Sequence, residues 1–497
     1  MSYAHCVVGR RLACALALAV PVGSLLALAR PALGELVVGP HLQDVRTDGA
    51  TIVWEQAKPG PGVVEVDGKP WPTKGDGPLQ EVELTGLAAG KIFGYSVKAD
   101  GAEETGSLTT APANPLASYV LVVMGDNRSN ADAHQSVVDA VRAEGPALVV
   151  NTGDMVADGA VGTNWKTFFQ IEHELVKGTP WYPTVGNHEA DGDKLPHFYT
   201  DYLAPPSAES ASEAYYSFRY ANAAFLVLDG QTSTKEEMLG LWTNLSDAQL
   251  GWLDAALAGY AADPKIQHLF VVTHEPPYSS KPGRTGSHAL RLLHPKFAQH
   301  GVDAILCGHD HYLERGESPE GLRYYIVGGG GAPLYTNSSE GKLGPKSPTA
   351  LPWLDDAHSV HFAKKSLGYL LLRIENGQVD AQVKDPAGAI LDQTSWNTGD
   401  IAGGGGGGSG AAGHGGSGAA AGPGAGGTGG AAAQGGNPAA GGASAPGVGP
   451  PESEQDAGCS CRLATPGRGP ARGLLWLLLA ACAAARDARR SEARLRS

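Results

Sequence analysis

The chain has 497 residues, and its 42% hydrophobic against 18% charged side chains leave room for a buried core in two or three domains of roughly 100–200 residues each. Residues 35–456 carry 26 basic and 49 acidic side chains, a net of −23; such a body repels nucleic-acid backbones, although it can still take a phosphate where metal ions supply positive charge. Glycine numbers 70, and most of its excess over ordinary usage lies after residue 400 without a Gly-x-y period, which excludes collagen.

Residues 1–34 open on Arg10-Arg11, continue through an apolar stretch over 12–29 broken by Pro21 and Gly23, and end on Ala32-Leu33-Gly34. A basic start, an apolar middle and a small-x-small exit read as a secretory signal peptide; an N-terminal membrane anchor is the alternative. Of the six cysteines, Cys6 and Cys14 leave with that segment and Cys307 is alone in the body, so no disulfide framework holds the main fold. Cys307 sits in an apolar run and reads as a small buried hydrophobe.

Residues 35–112 hold short strand-like runs at 51–54, 62–66, 80–84 and 92–97, separated by Gly, Pro and Asp. This spacing predicts a small β-sandwich. Leu84-Thr85-Gly86-Leu87, Tyr95 and Leu108-Thr109-Thr110-Ala111-Pro112 resemble a fibronectin type III domain of the kind fused to purple acid phosphatases.

From about 117 to 397 the texture changes to alternating apolar runs and helical patterns, which predicts an α/β layered domain. A helix is expected over 133–143. Another is expected from Ser246, where Gln249 three residues on makes a capping box ahead of Leu250, Leu253 and Leu257.

The chemistry lies at the ends of the apolar runs. Residues 119–123 lead to Gly125-Asp126-Asn127-Arg128, 147–150 to Gly153-Asp154, and 181–185 to Gly186-Asn187-His188-Glu189. Residues 269–272 lead to His274, and 304–307 to Gly308-His309-Asp310-His311. In an open α/β sheet, ligands bind beyond the carboxyl ends of the strands. Carboxylate, amide and imidazole without thiolate suit Mn, Fe or Zn, and there are too many such residues for one ion. Two ions about 3.5–4 Å apart need a bridging carboxylate. The glycines before Asp126, Asp154, Asn187 and His309 predict tight turns straight off the strands.

The ordered set GD, GD, GNHE, H and GHDH resembles the calcineurin-like metallophosphoesterases. The GHDHYLER ending and the upstream sandwich point to the purple acid phosphatase-like branch, over roughly 36–397. That resemblance implies an αββα sandwich and a site for two divalent or trivalent transition-metal ions. It implies that Asp126 and His311 bind the first metal, Asp154 bridges, and Asn187, His274 and His309 bind the second. His188 would contact the phosphate or protonate the leaving oxygen, with Glu189 orienting it, while a metal-bridging hydroxide attacks phosphorus. Relatives often add a His two positions after the first Asp or a Tyr three after the bridging Asp; here Arg128 and Ala157 stand there, so no purple colour is expected. Arg128 is read as a phosphate contact or an exposed loop residue. His288 resembles a substrate-facing histidine, and Asp229 is a turn or site residue. The remaining lone histidines, His134, His173, His197, His268, His294, His300 and His358, read as structural.

Residues 402–456 are Gly, Ala, Ser and Pro, a flexible tether. Cys459-Ser460-Cys461, a 13-residue apolar run over 473–485 and an Arg cluster over 486–496 follow. This order resembles the myxobacterial type of C-terminal sorting tail, which implies display at the cell surface, with outer-membrane association; an ordinary weak anchor is the alternative. The sequence therefore predicts a secreted, surface-tethered phosphomonoesterase acting on a phosphorylated small molecule or nucleotide. A phosphodiesterase or nucleotidase on the same metals, and a metal-free surface binding module, remain as alternatives.

Overall fold

The computed structural model describes residues 36–190, 194–206, 212–231, 236–238, 241–243, 245–346 and 357–398. The chain divides into two units, Met1–Gly410 and Ala411–Ser497, and the described residues lie in the first. The signal-peptide, tether and sorting-tail segments fall outside them. Among the described residues no helix is long and apolar enough to cross a membrane.

Seven strands come first: β1 (Val38–Gln43), β2 (Ala50–Glu55), β3 (Gly62–Val66), β4 (Lys69–Pro72), β5 (Leu79–Leu84), β6 (Ile92–Ala99) and β7 (Ala102–Thr109). They form two antiparallel sheets, ordered β1-β2-β5 and β4-β3-β6-β7. Apolar residues alternate inward along β3 and β6, and Trp54, Val64, Val66, Leu84, Tyr95 and Val97 share one buried cluster. The sequence runs missed β1, β4 and β7. β4 carries Pro70 and Pro72 and survives only because it is an edge strand. β7 is rich in Glu, Thr and Gly and owes its place to pairing with β6.

The α/β body follows. Its first half holds β8 (Tyr119–Met124), α1 (Ala131–Glu144), β9 (Leu148–Asn151), α2 (Gly162–Val176), β10 (Trp181–Pro183), α3 (His197–Tyr202), β11 (Tyr216–Tyr220) and β12 (Ala223–Val227). After a hairpin of β13 (Glu236–Met238) and β14 (Leu241–Thr243) come α4 (Asp247–Ala262), β15 (His268–Val272), α5 (His288–Gln299), β16 (Ala304–Cys307), β17 (Leu313–Glu317) and β18 (Arg323–Val327). The last strands are β19 (Gly344–Lys346), β20 (His358–Lys364), β21 (Tyr369–Glu375), β22 (Gln378–Lys384) and β23 (Ile390–Asn397).

Two sheets result, ordered β10-β9-β8-β21-β22-β23 and β11-β12-β15-β16-β18-β17-β20-β19. The segments β10-β9-β8 and β12-β15-β16-β18 are parallel, and the flanking strands antiparallel. The layering can be read from alternation. Leu121 and Val123 of β8 share one core with Phe270 and Val272 of β15, so the sheets meet face to face. Val122 and Met124 point the other way onto Val137, Val141 and Phe168 of α1 and α2. Leu269 and Val271 point onto Leu253 and Leu257 of α4 and Phe297 of α5. Helix, sheet, sheet and helix are thus held by three apolar seams, each fully buried side chain contributing about 1.5–3 kcal/mol.

The helix expected at Ser246 forms, and the Ser246 hydroxyl accepts the Gln249 N–H at 3.2 Å. The reciprocal half of the capping box does not form. The Gln249 amide instead spans Asp229, taking its N–H at 2.8 Å and donating to its carbonyl at 2.9 Å. Asp229 is therefore a turn residue, its carboxylate accepting the Gln231 N–H. Cys307 is buried. The β region is keyed to the body by Tyr95 donating to the Lys177 carbonyl at 2.7 Å and by Tyr202 donating to Glu55 at 2.6 Å. His173 of α2 adds a contact to Glu104 at 2.6 Å.

Candidate metal centre

The carboxyl ends of β8, β9, β15 and β16, with the loop after β10, converge on one point. Asp126, Asp154 and His309 all have left-handed backbones, with φ of 57°, 55° and 67°. Non-glycine residues rarely adopt this region, and each such residue costs of order 1–3 kcal/mol. Of the glycines in these turns, Gly153 ahead of Asp154 is itself left-handed, with φ of 90°. Gly125, Gly186 and Gly308 are not left-handed; they give room. A Cβ on Gly308 would lie 2.4 Å from Asp126 Oδ2, and one on Gly186 would lie 2.3 Å from Asp154 Oδ1.

Two triads of donor atoms form, each within 4.8 Å: Asp154, His274 and His309, and Asp126, Asp154 and His311. Asp154 belongs to both. His274 Nε2 lies 3.2 Å from Asp154 Oδ1, 3.1 Å from Asn187 Oδ1 and 3.1 Å from His309 Nδ1. His311 Nε2 lies 3.3 Å from Asp126 Oδ1. The other ring nitrogens fix the tautomers. His274 Nδ1 donates to the Thr152 carbonyl at 2.7 Å, and His311 Nδ1 to the Pro333 carbonyl at 2.8 Å. A carbonyl only accepts, so each Nε2 presents a lone pair to the cluster. A metal-binding histidine is held this way, one ring nitrogen fixed on a carbonyl so that the other faces the ion. Lone pairs facing lone pairs and carboxylates in a buried site call for a cation, and the mixed N/O set fits two transition-metal ions of the Fe, Mn or Zn type.

Electrostatics points the same way. Burial works to raise the Asp154 carboxyl, but His274, His188 and Arg128 outweigh it and hold it below the usual range. Burial works to lower His274, yet Asp154 and Asp126 raise it. The carboxylates thus create a place for positive charge.

His188 stands beside the cluster rather than in it. Its Nδ1 donates to the Ala157 carbonyl at 2.7 Å, and its Nε2 faces Asp154 Oδ2 at 3.9 Å. Arg128 Nε donates to that same Oδ2 at 3.3 Å, with its side chain 12% exposed. The guanidinium therefore lines the centre and is no solvated loop residue.

One expectation is corrected. Glu189 does not orient His188, since the Ala157 carbonyl does. Glu189 is fully buried and accepts three backbone N–H groups: Asp154 at 2.8 Å, Gly186 at 2.9 Å and Val156 at 3.1 Å. It ties the two metal loops together. Burial, then the Asp154 charge, pushes its carboxyl up to about 7. His288 opens α5, and none of its hydrogen bonds among the described residues reaches the cluster; its Nδ1 has no partner.

Some contributors went unread in the sequence. Asp310 is fully buried and accepts from Arg284 Nη1 at 2.6 Å, Ser279 at 2.5 Å and Tyr312 at 2.7 Å. That network clamps the loop over 279–284 to the turn bearing His309 and His311. Gly328 to Gly331 form the floor: Gly330 N–H donates to the Gly125 carbonyl at 2.9 Å, and Ala332 N–H to the Asp126 carbonyl at 2.8 Å. Four consecutive glycines straight after an apolar strand were the available signal.

Residues 119–313 match the sequence profile of the calcineurin-like phosphoesterases. The body has the calcineurin-like metallophosphoesterase fold. The fold is shared with purple acid phosphatase PPD1 of yellow lupin (Lupinus luteus), at a TM-score of 0.57 and 17% identity over 72% of this chain and 74% of that one. Among curated relatives, the Fe(3+)-Zn(2+) purple acid phosphatase 12 of Arabidopsis thaliana is 29% identical over 43% of this chain and 46% of its own length. Phosphoenolpyruvate phosphatase of Allium cepa is 27% identical over 49% of this chain and 51% of its own length. The chain thus spans about half the length of these two relatives. The candidate donors occupy the loops after β8, β9, β10, β15 and β16.

Proposed function

We propose that the protein is a dinuclear phosphoester hydrolase acting first on phosphomonoesters. One observation carries this reading: Asp154 is shared by two donor triads, while His188 and Arg128 flank its second oxygen. Ions held by Asp126, Asp154 and His311 and by Asp154, Asn187, His274 and His309 would supply Lewis acidity and a water of lowered pKa. Around them, Arg128 offers planar N–H donors to a phosphate oxygen. His188, its Nδ1 locked on the Ala157 carbonyl, would act in its imidazolium form, giving the Nε2 proton to the leaving oxygen. Glu189 keeps the loops bearing Asp154 and His188 in register.

A single phosphate-facing cation beside one imidazole favours a monoester, whose extra negative charge Arg128 meets. The test compares p-nitrophenyl phosphate with bis-p-nitrophenyl phosphate. Faster turnover of the monoester is expected; a strong preference for the diester would move the assignment to a phosphodiesterase. The fibronectin type III-like reading of β1 to β7, secretion through residues 1–34 and surface display through residues 457–497 complete the proposal. Surface proteolysis of intact cells should release activity, and activity confined to the cytosol would refute it.

A further inference from the structure

His311 is the one nitrogen donor of the triad it forms with Asp126 and Asp154, and the loop after β18 grips it at three points. Its Nδ1 donates to the Pro333 carbonyl at 2.8 Å, and its own carbonyl accepts the Tyr335 N–H at 2.9 Å. The third point is the ring face. Tyr335, half-buried, stacks on His311 with ring centroids 3.9 Å apart and an interplanar angle of 14°. The Lys281 ammonium lies 3.3 Å from the centre of that same tyrosine ring, where the ring quadrupole attracts it. Two groups this close to one ring centre cannot share a face, so His311, Tyr335 and Lys281 form a stack of three in that order. Lys281 belongs to the loop that Ser279 and Arg284 clamp to Asp310, the residue before His311. Two loops distant in the chain thus meet around one imidazole.

From this stack we infer that Tyr335, backed by Lys281, is a positioning residue for the metal on the β8 side, where Asp126 stands. The inference rests on the dinuclear reading and deepens it. The hydrogen bond to Pro333 selects which ring nitrogen faces the cluster, but it leaves the imidazole free to tilt about that bond. The stack fixes the ring plane, and with it the direction of the Nε2 lone pair. This half of the centre has Asp126, Asp154 and His311, whereas Asn187 adds a fourth donor to Asp154, His274 and His309 in the other. It also holds Arg128 beside the shared carboxylate. With fewer donors and a cation nearby, the aim of each lone pair weighs more in holding the ion. The tyrosine acts through its flat ring, which a phenylalanine keeps and a leucine lacks.

The test loads the full-length protein with zinc and follows release of the metal to a chromogenic chelator. Release should come in two phases, and His311→Ala, which removes a β8-side donor, identifies the faster one. Tyr335→Leu should weaken zinc on the β8 side about 10–100-fold, the usual scale for a residue that orients a metal-binding histidine, and leave the slower phase within about twofold. That retained phase shows that the centre is still folded. Tyr335→Phe should restore both phases. In the metal-free protein, the His311 ring-proton signals, assigned by their loss in His311→Ala, should move downfield in Tyr335→Leu as the tyrosine's ring current disappears, and hold their place in Tyr335→Phe. Equal weakening of both phases, or no change in either, would overturn the inference. So would a raised KM with both ions retained, which would make Tyr335 a substrate contact. Zinc that never binds the unaltered protein would reject the dinuclear reading and this role with it. Two ions in the unaltered protein, with the His311 signals unmoved by Tyr335→Leu, would reject the positioning role alone.

Discussion

The two halves of the centre share Asp154 and differ in their other donors. On the β15–β16 side, Asp154 is joined by His274 and His309, which follow strands buried along their length, and by Asn187 from the loop after β10, three neutral donors. On the β8 side it is joined by Asp126 and His311, with Arg128 beside the shared carboxylate and Ala157 offering no ligand. The first half is a complete four-donor site. The second offers three, two of them carboxylates, and sets a fixed cation next to them. A metal there would have fewer protein donors and would meet repulsion from the guanidinium, so the β8 side should lose its ion first.

The largest effect should come from the residue the halves share. Asp154→Ala should remove both ions and lower turnover by about three orders of magnitude or more; metal analysis and kinetics on one sample check it, and one retained ion would break the symmetry of the account. Next comes His311→Ala, which should leave about one ion per chain and cost on the order of a hundredfold in turnover, while His309→Ala should disturb the other ion. If both variants lost both ions equally, the halves would not be separable. Arg128→Ala should raise KM about tenfold, roughly 1.4 kcal/mol, and should slow rather than speed loss of the β8-side metal to chelators. Faster loss would mean the guanidinium holds the carboxylate in place instead of competing with the ion.

The smallest effect lies outside the centre and serves as a control. Burial pushes Glu314 up to about 7, against the hydrogen bonds it accepts from Asn337, Ser280 and Tyr324. A carboxyl raised in the fold binds its proton more tightly there than in the unfolded chain. Its stabilising contribution is full below the ordinary value of 4.5 and is lost as pH rises toward 7. Glu314→Gln should flatten that slope in denaturant melts, with little change in metal content. A slope unchanged from the unaltered protein would remove Glu314 as its source.

The sequence displayed the donors better than their supports. Asp126, Asp154, Asn187, His274, His309 and His311 all sit where an apolar run ends, because parallel strands buried on both faces leave long hydrophobic signatures and sharp polar ends. Glu189 was visible but misjudged: the family resemblance implied that it orients His188, whereas its side chain turns back to three backbone N–H groups. Arg284 and Asp310 act through partners distant in sequence, which no local pattern displays, and the visible run Gly328 to Gly331 gives no sign of the distant loop it packs under. The strands β17 to β23 went unread for the same reason. β21 enters beside β8 at the middle of its sheet, a pairing fixed by the whole fold rather than by its own residues.

The central claim is that one carboxylate joins two metal sites into a hydrolase. Its most direct test is transition-metal content per chain of the purified full-length protein, with monoester turnover measured on the same sample before and after chelation and again after metal is restored. The account predicts about two ions per chain and turnover that chelation abolishes and metal restores, the ion on the β8 side leaving first. Metal near zero after growth with Mn, Fe and Zn, or turnover untouched by complete chelation, would contradict it.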